Sequence, residues 1–394
     1  MKTRTKRILL LSLCLALLAG CAVFAFAAPK YGDTKVVGHV VYSYRPGGKY
    51  AKAHYAVTDF FDTDEAAKEN TKKTIKIRSS IGGVSVTAIE TGGEDIDAAR
   101  IYSSHRVSRP VRKIVLPDTI TSISPYAFAY FPLLKTVNFP DAITAIPDYA
   151  FYECTYFKKV EINNLKSIGD YAFYNCRVLY SFKFPDTLER IGSYAFAYTA
   201  LKEASFPCKR LETGYAPFMG SLYLRDVTFR NGGKNDTLYI GDGMFAEFTL
   251  LNSVTLPTKA KQVQIGGSAF KDCTNLKTIK NPELITEIQS DAFANCFWLE
   301  SFTIPAGIRY VHPWAFIGCR QLKTLALNST DPLLLKNSAK HYKDQYIQDA
   351  NFIFFLRNDC KIYVLTPEMQ KMAEDEGLSK SVILRAPDAM PAAA

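Results

Sequence analysis

Apolar residues in this chain recur in a phrase, neither the simple alternation of a strand nor the 3.6-residue period of a helix. From Val111 onward a unit of the form A-F-x-x-C-x-x-L-x-x-V-x-F-P-x-x-I-x-x-I returns, as in the run AFANCFWLESFTI that begins at Ala292. Its marker phenylalanines are Phe128, Phe151, Phe173, Phe196, Phe218, Phe245, Phe270, Phe293 and Phe316, spaced by 23, 22, 23, 22, 27, 25, 23 and 23 residues. A period near two dozen residues predicts stacked coils. In V-x-F the two apolar residues share one strand face and point inward, while their neighbours point out. Leu134, Val137 and Phe139 set this inner pattern, as do Phe157, Val160 and Ile162, and Leu299, Phe302 and Ile304. The Pro that often follows stops the strand. Y-A-F then opens the return segment, with Ala allowing close backbone approach and Phe filling the core. A single coil cannot bury its own apolar edges, so coils stack into a parallel ladder with strands about 4.8 Å apart. The fold class expected is an α/β repeat solenoid.

The flanks follow other rules. Val36 to Tyr44 and His54 to Phe61 read as strands around the turn residues Pro46-Gly47-Gly48, and Asp62 to Lys73 is polar. Thr74 to Arg78 and Val84 to Ile89, separated by Ile81-Gly82-Gly83, make a first coil, and Glu90 to Pro110 reads as an irregular insertion. Around Phe218 the phrase becomes Ala216-Pro217-Phe218, and Arg230 to Thr237 lengthens the next coil, which predicts a bulge near the middle of the stack. Beyond Leu327 the period breaks. Asn337 to Ala350 has helical potential, Asn351 to Leu356 is apolar, and Cys360 to Leu365 reads as a strand. Pro367 to Glu376 reads as a short helix with Pro at its start, and Val382 to Leu384 as a last strand. The expected organisation is a signal over residues 1–27, a strand-rich lead-in over 28–73, a solenoid over 74–327, a C-terminal cap over 328–386 and a disordered tail over 387–394.

Composition adds export and charge. The first 27 residues hold four basic residues and no acid, followed by an apolar run, the layout of a targeting signal. Two processing readings stay open: a lipobox, Leu18-Ala19-Gly20-Cys21, which would lipidate Cys21, or cleavage after Ala25-Phe26-Ala27. Uncleaved, the apolar run just reaches spanning length. Membrane contact is expected only through that lipid or that anchor, and the protein is expected at the cell surface or secreted. Removing these residues lowers the net charge from +10 to +6, an excess that mildly favours acidic partners.

The phrases IGDYAFYNC and AFKDCTNLKTI, with the lead-in IRSSIGGVSVTAI, resemble the BspA-type leucine-rich repeat proteins, found mainly on bacterial surfaces and in some protozoa. The ending CKIYVLTPEMQ resembles that family's last strand and helix, although Leu365-Thr366 precedes Pro367 where Y-V-P is common. The resemblance covers Thr74 to about Leu384. It implies a curved leucine-rich solenoid, surface exposure and adhesion to host proteins or other cells. It implies no catalytic residues and fixes no ligand.

The residues themselves point to binding. Cys154, Cys176, Cys273, Cys296 and Cys319 each lie three residues after a marker Phe. Equivalent residues on stacked coils have parallel side-chain vectors too far apart for a disulfide, so they read as a ladder of small buried thiols. Cys208 and Cys360 lie off this register. No C-x-x-C, H-E-x-x-H, G-x-S-x-G or phosphate-binding loop occurs, so no enzyme, metal or cofactor is expected. The acidic groups Asp62, Asp64 and Glu65, and Glu94, Asp95 and Asp97, read as solvated loops.

Outward strand positions are rich in Ser and Thr, with Lys159 and Lys183 among them. Beside them run Lys135, Lys158, Tyr180, Lys202, Arg225, Asn252, Lys277, Glu300 and Lys323, of which six are basic. This row could receive an acidic ligand, or it could serve only to blunt aggregation of an exposed sheet. A second candidate is the tyrosine row Tyr126, Tyr149, Tyr171 and Tyr194, followed by Tyr130, Tyr152, Tyr174 and Tyr198. Those rings either offer flat faces to a partner or pack on one another. The function expected is non-enzymatic binding or adhesion. The partner expected is a protein or an acidic glycan on a host or neighbouring cell, with no nucleic acid. The alternative is structural assembly of the envelope through the tyrosine-rich half.

Overall fold

A computed structural model describes residues 30–37, 40–47, 52–60, 74–91, 111–221, 223–330, 360–375 and 382–384. The signal with Cys21, both acidic loop groups, Asn337 to Leu356 and the tail after Pro387 lie outside the described residues. The lead-in forms an antiparallel sheet of β1 (Thr34–Val37), β2 (Val40–Arg45) and β3 (His54–Asp59). The single strand expected from Val36 to Tyr44 is therefore two strands, β1 and β2, paired antiparallel. The first coil holds β4 (Thr74–Lys76), β5 (Ser80–Ile81) and β6 (Val84–Ile89), with β3 pairing β6 in parallel. Phe60 stacks on Phe128 at 5.9 Å and so closes the N-terminal end of the core.

Each coil then adds two short strands. They are β7 (Lys113–Val115) and β8 (Ser122–Ile123), β9 (Thr136–Asn138) and β10 (Ala145–Ile146), β11 (Lys159–Val160) and β12 (Ser167–Ile168), β13 (Ser181–Phe182) and β14 (Arg190–Ile191). Next come β15 (Ala204–Phe206) and β16 (Glu212–Thr213), β17 (Asp226–Phe229) and β18 (Thr237–Ile240), β19 (Ser253–Thr255) and β20 (Gln262–Ile265). The last are β21 (Thr278–Lys280) and β22 (Ile285–Ile288), β23 (Ser301–Ile304) and β24 (Tyr310–Val311), and β25 (Thr324–Leu327). From β7 on, odd-numbered strands, from the V-x-F phrase, line one side in parallel segments β7-β9, β11-β13, β15-β17-β19-β21 and β23-β25, and even-numbered strands, from the I-x-x-I phrase, line a second side as β10-β12-β14-β16 and β18-β20-β22-β24, with β8 pairing β6. β26 (Lys361–Val364) and β27 (Val382–Leu384) continue the first side in parallel beyond β25, with helix α1 (Pro367–Asp375) between them.

The expected ladder is present, so the chain is a parallel-strand β-solenoid. The α in the expected α/β label has little behind it among the described residues, where α1 is the one α-helix. The Y-A-F segments are turns, for a visible reason. Residues two before and two after the marker Phe take left-handed backbone, as at Tyr149 (φ 56°) and Glu153 (φ 61°), which no α-helix tolerates. Their N–H groups leave the coil. Tyr126, Phe128 and Tyr130 donate to the carbonyls of Asp148, Ala150 and Tyr152 on the next coil, at 3.1, 2.9 and 2.8 Å. The pattern repeats at Phe151 to Ala172, Phe173 to Ala195, Phe245 to Ala269 and Phe270 to Ala292, each at 2.8 Å. All these donors point toward the C-terminal end. At the first coil the Thr91 hydroxyl donates to the carbonyl of Ala127 at 2.7 Å.

The core is a continuous stack of the nine marker phenylalanines, with successive ring centroids 5.1 to 5.7 Å apart. Burial of each ring should contribute roughly 1.5–3 kcal/mol. Beside the stack all seven described cysteines are buried and unbridged. The five in register each donate a thiol hydrogen bond to the marker Phe carbonyl of the preceding coil, from Cys154 to Phe128 at 2.9 Å to Cys176 to Phe151 at 3.3 Å. Burial pushes the Cys176, Cys273 and Cys296 thiols far up and the Cys319 thiol to about 12, so none is a nucleophile at neutral pH. Ser221 occupies the same register position, and its buried hydroxyl finds no protein partner.

The expected mid-array irregularity is also present. The even ladder is interrupted between β16 and β18, where one bridge from Arg210 to Tyr239 replaces a strand pair.

Candidate functional site

A ladder of β-strands brings every register position into line, one strand spacing of about 4.8 Å after another. The basic row is such a line. Lys158 donates its backbone N–H to Lys135, Lys202 to Tyr180, Lys277 to Asn252 and Lys323 to Glu300, at 2.9 to 3.1 Å. The same bonds extend the row at both ends beyond what the repeat pattern suggested. Lys135 donates to Arg112 and Lys361 donates to Lys323, each at 2.8 Å. Arg112, Lys135, Lys158, Lys202, Arg225, Lys277, Lys323 and Lys361 thus share one edge of the odd-strand face, and all but the half-buried Lys135 are exposed. Two unit charges one strand apart repel by about 0.9 kcal/mol even in bulk water. A line of them is a surface that an anionic partner relieves.

The neighbouring outward positions do less. Lys159 pairs with Glu161 on its own strand, and Lys183 is exposed. Ser253, at an outward strand position, is buried, and its hydroxyl donates to the Asp226 carboxylate at 2.6 Å. Tyr180 is exposed, with the Lys202 ammonium 5.4 Å from its ring centroid.

Three residues that sequence reasoning passed over join this edge. Tyr156, Tyr223 and Trp298 are 50%, 54% and 48% exposed, and each stands two residues before a row position: Lys158, Arg225 and Glu300. With Tyr180 they interleave large aromatic faces with the cations. Their position in the repeat is occupied elsewhere by Leu133, Val178, Ala200, Leu250, Asn275 and Gln321. An aromatic there is visible in the sequence only once the register is known.

The tyrosine row has a different geometry. Tyr126, Tyr149, Tyr171 and Tyr194 stack face to face at 4.5, 4.9 and 5.1 Å. Tyr152 and Tyr174 stack at 5.0 Å, with Tyr130 and Tyr198 edge-on beyond them. The rings spend their faces on one another, and only edges and hydroxyls reach solvent. Burial, then the neighbouring tyrosine, raises Tyr126 to about 12; burial, then the Glu153 carboxylate, does the same for Tyr152.

Cavities also open on the described surface. One, of about 300 Å³, lies between β21 and β23 and includes Trp298. Another, of about 430 Å³, lies on the even-strand side at the mid-array irregularity, lined by Glu189, Arg210, Glu212, Thr213, Tyr239 and Asp242. There the Arg210 guanidinium covers the Tyr239 ring at 4.2 Å, and the Tyr239 hydroxyl donates to Asp242 at 2.6 Å. These internal pairings occupy Arg210, Tyr239 and Asp242, while the buried Thr213 hydroxyl in the same lining has no hydrogen-bond partner. Among the described residues no group of three or more His, Cys, Asp or Glu side chains could hold a metal ion.

A family model described as a BspA type leucine rich repeat region, in six copies, matches residues 102–225 and 235–346. No curated protein matches the chain. Among solved structures, the pneumococcal vaccine antigen PcpA is 17% identical, with 90% of this chain and 99% of that one covered and a TM-score of 0.45. A leucine rich cell surface protein from Faecalibacterium prausnitzii is 21% identical, with 77% and 90% covered and a TM-score of 0.39. The leucine rich repeat protein of T. pallidum is 19% identical, with 62% and 91% covered and a TM-score of 0.37. These superpositions are loose, and the family rests on the repeat match alone.

Proposed function

The chain belongs to the BspA-type leucine-rich repeat family, and we propose that it is a non-enzymatic binding or adhesion protein of the cell surface. Its working surface is the edge of the odd-strand face, and its partner is an acidic macromolecule, protein or glycan, on a host or neighbouring cell. One observation carries this reading: an aligned row of eight basic side chains, interleaved with exposed aromatic rings. Cations lead the encounter and aromatic faces supply the area that holds it. The signal-like N-terminus supports export.

The test is binding of the mature ectodomain to glycan arrays and matrix proteins, with Lys135, Lys158 and Lys202 changed together to Glu. All three lie at half-exposed or exposed positions, so folding should be kept. Binding is expected to fall at least tenfold and, for the native chain, to weaken as salt shortens the Debye length from about 10 Å to 3 Å. Unchanged binding by the triple variant overturns the reading.

A further inference from the structure

The odd-strand side is interrupted between β9 and β11, between β13 and β15, and between β21 and β23; at the last of these β21 ends one sheet and β23 begins the next. Beside this break one residue stands out. Asn281 stands at the second inward position of its strand, where the flanking coils place the buried Leu256 and Ile304. It takes left-handed backbone at φ 57°, donates its side-chain amide to the Leu256 carbonyl at 3.1 Å, and turns the chain into a short 3-10 segment at Pro282–Leu284. No strand pair joins β21 to β23, and a cleft of about 300 Å³ opens between them on the solvent face. That volume is at the small end of ligand pockets.

The lining is of one chemical kind. Trp298, one of only two tryptophans in the chain, is 48% exposed at the rim, although a side chain of that size is ordinarily buried. Lys277 and Glu300 flank it, a full donor and a full acceptor whose charges cancel, and Ser301 and Thr303 add hydroxyls. A flat ring with a negative face beside balanced donors and acceptors suits a molecule that has weakly positive C–H groups on one face and hydroxyls around its rim. That description fits a pyranose. The cancelled charge disfavours an acidic sugar here, in contrast to the row outside.

We infer that the Trp298 cleft is a subsite for a neutral hexopyranose unit of a glycan, stacked on the indole and hydrogen-bonded to Lys277 and Glu300. The inference rests on the reading of this face as the binding surface and adds a ligand class that the basic row does not specify.

The probes are maltose, cellobiose, lactose and N,N′-diacetylchitobiose, titrated into the mature chain. Binding is followed by tryptophan fluorescence and by saturation transfer from protein to sugar protons. At least one sugar is expected to bind saturably and to protect the indole. Trp298→Ala should weaken it tenfold or more, Trp298→Phe should keep a measurable part, and Ser301→Tyr, which fills the cleft from an exposed strand position, should abolish it. All these positions are exposed, so loss of fold does not confuse the result. No saturable binding of any of the four sugars, or equal binding by Trp298→Ala, overturns the inference. The Lys135, Lys158 and Lys202 variant separates the two readings. If it loses cell or matrix binding while the sugars fail, the cleft alone is wrong. If it keeps that binding while the sugars succeed, the row alone is wrong.

Discussion

The same coils use aromatic rings in two opposite ways. On the turn side Tyr126, Tyr149, Tyr171 and Tyr194 occur in consecutive coils, so rings at a spacing near 5 Å cover one another. On the edge of the odd-strand face Tyr156, Tyr180, Tyr223 and Trp298 do not fall in one unbroken register column, and their rings stay exposed. The side chains are alike in kind. What differs is the neighbour one strand away: a repeated aromatic makes scaffold, and an unrepeated one makes surface. A stacked pair is worth about 0.5–1.5 kcal/mol beyond its burial, whereas an isolated exposed ring costs solvation and returns nothing until a partner arrives.

That contrast can be tested by substitution. The reference for full burial is Phe173→Ala, in the middle of the core stack, expected to destabilise by about 3–5 kcal/mol in urea unfolding. Tyr149→Ala, which breaks two stacked contacts, is expected to cost about 1–3 kcal/mol. Tyr156→Ala is expected to stay within about 0.5 kcal/mol of the native chain while lowering partner binding. Equal costs at positions 149 and 156 would erase the distinction between the two sets. The smallest expected effect is on titration. Tyr126 and Tyr152 are raised to about 12 from an ordinary value of 10.0, because burial, then the neighbouring Tyr149 and Glu153 respectively, disfavour their charged forms. A raised folded-state value means that this contribution to stability is fully present below pH 10 and is lost as pH climbs through about 12. Phenolate absorbance should therefore show these two hydroxyls ionising well after unperturbed tyrosines, and the delay should vanish on unfolding.

Much of this was legible from the chain itself, because a repeat reports each position many times. Phe spacing located the core, and the Cys register predicted unbridged thiols, which the structure then supplied with carbonyl partners. The row from Lys135 to Lys323 came out in line. Its ends did not, because Arg112 precedes the clear repeat and Lys361 follows the break after Leu327. The turn conformation was hidden for a physical reason: a tyrosine seldom adopts positive φ, and nothing local in Y-A-F signals that it must. Only the ladder of N–H groups reaching to the next coil stabilises it. The cleft was hidden too, although the polar Asn281 beside it stands out in an otherwise apolar column. The split of the lead-in into β1 and β2 was missed because the alternation from Val36 to Tyr44 reads smoothly across the break.

The one-way hydrogen bonds of the turns have a consequence for growth and association. Because Phe128, Phe151 and Phe173 all donate forward, the turn sides of the two ends are chemically unlike, acceptors at one and donors at the other. Two bare arrays could join only tail to head, a heterologous contact that does not close and so invites fibres. The Thr91 hydroxyl on the Ala127 carbonyl and the lead-in ring Phe60 on Phe128 act as a stopper at the acceptor end. By the same logic a whole coil can be inserted or deleted without inventing a new junction, since on the turn side each coil meets its neighbours with the same donors ahead and acceptors behind. Lineages of such chains can therefore change length, and with it the reach of their basic edge, by copying a unit.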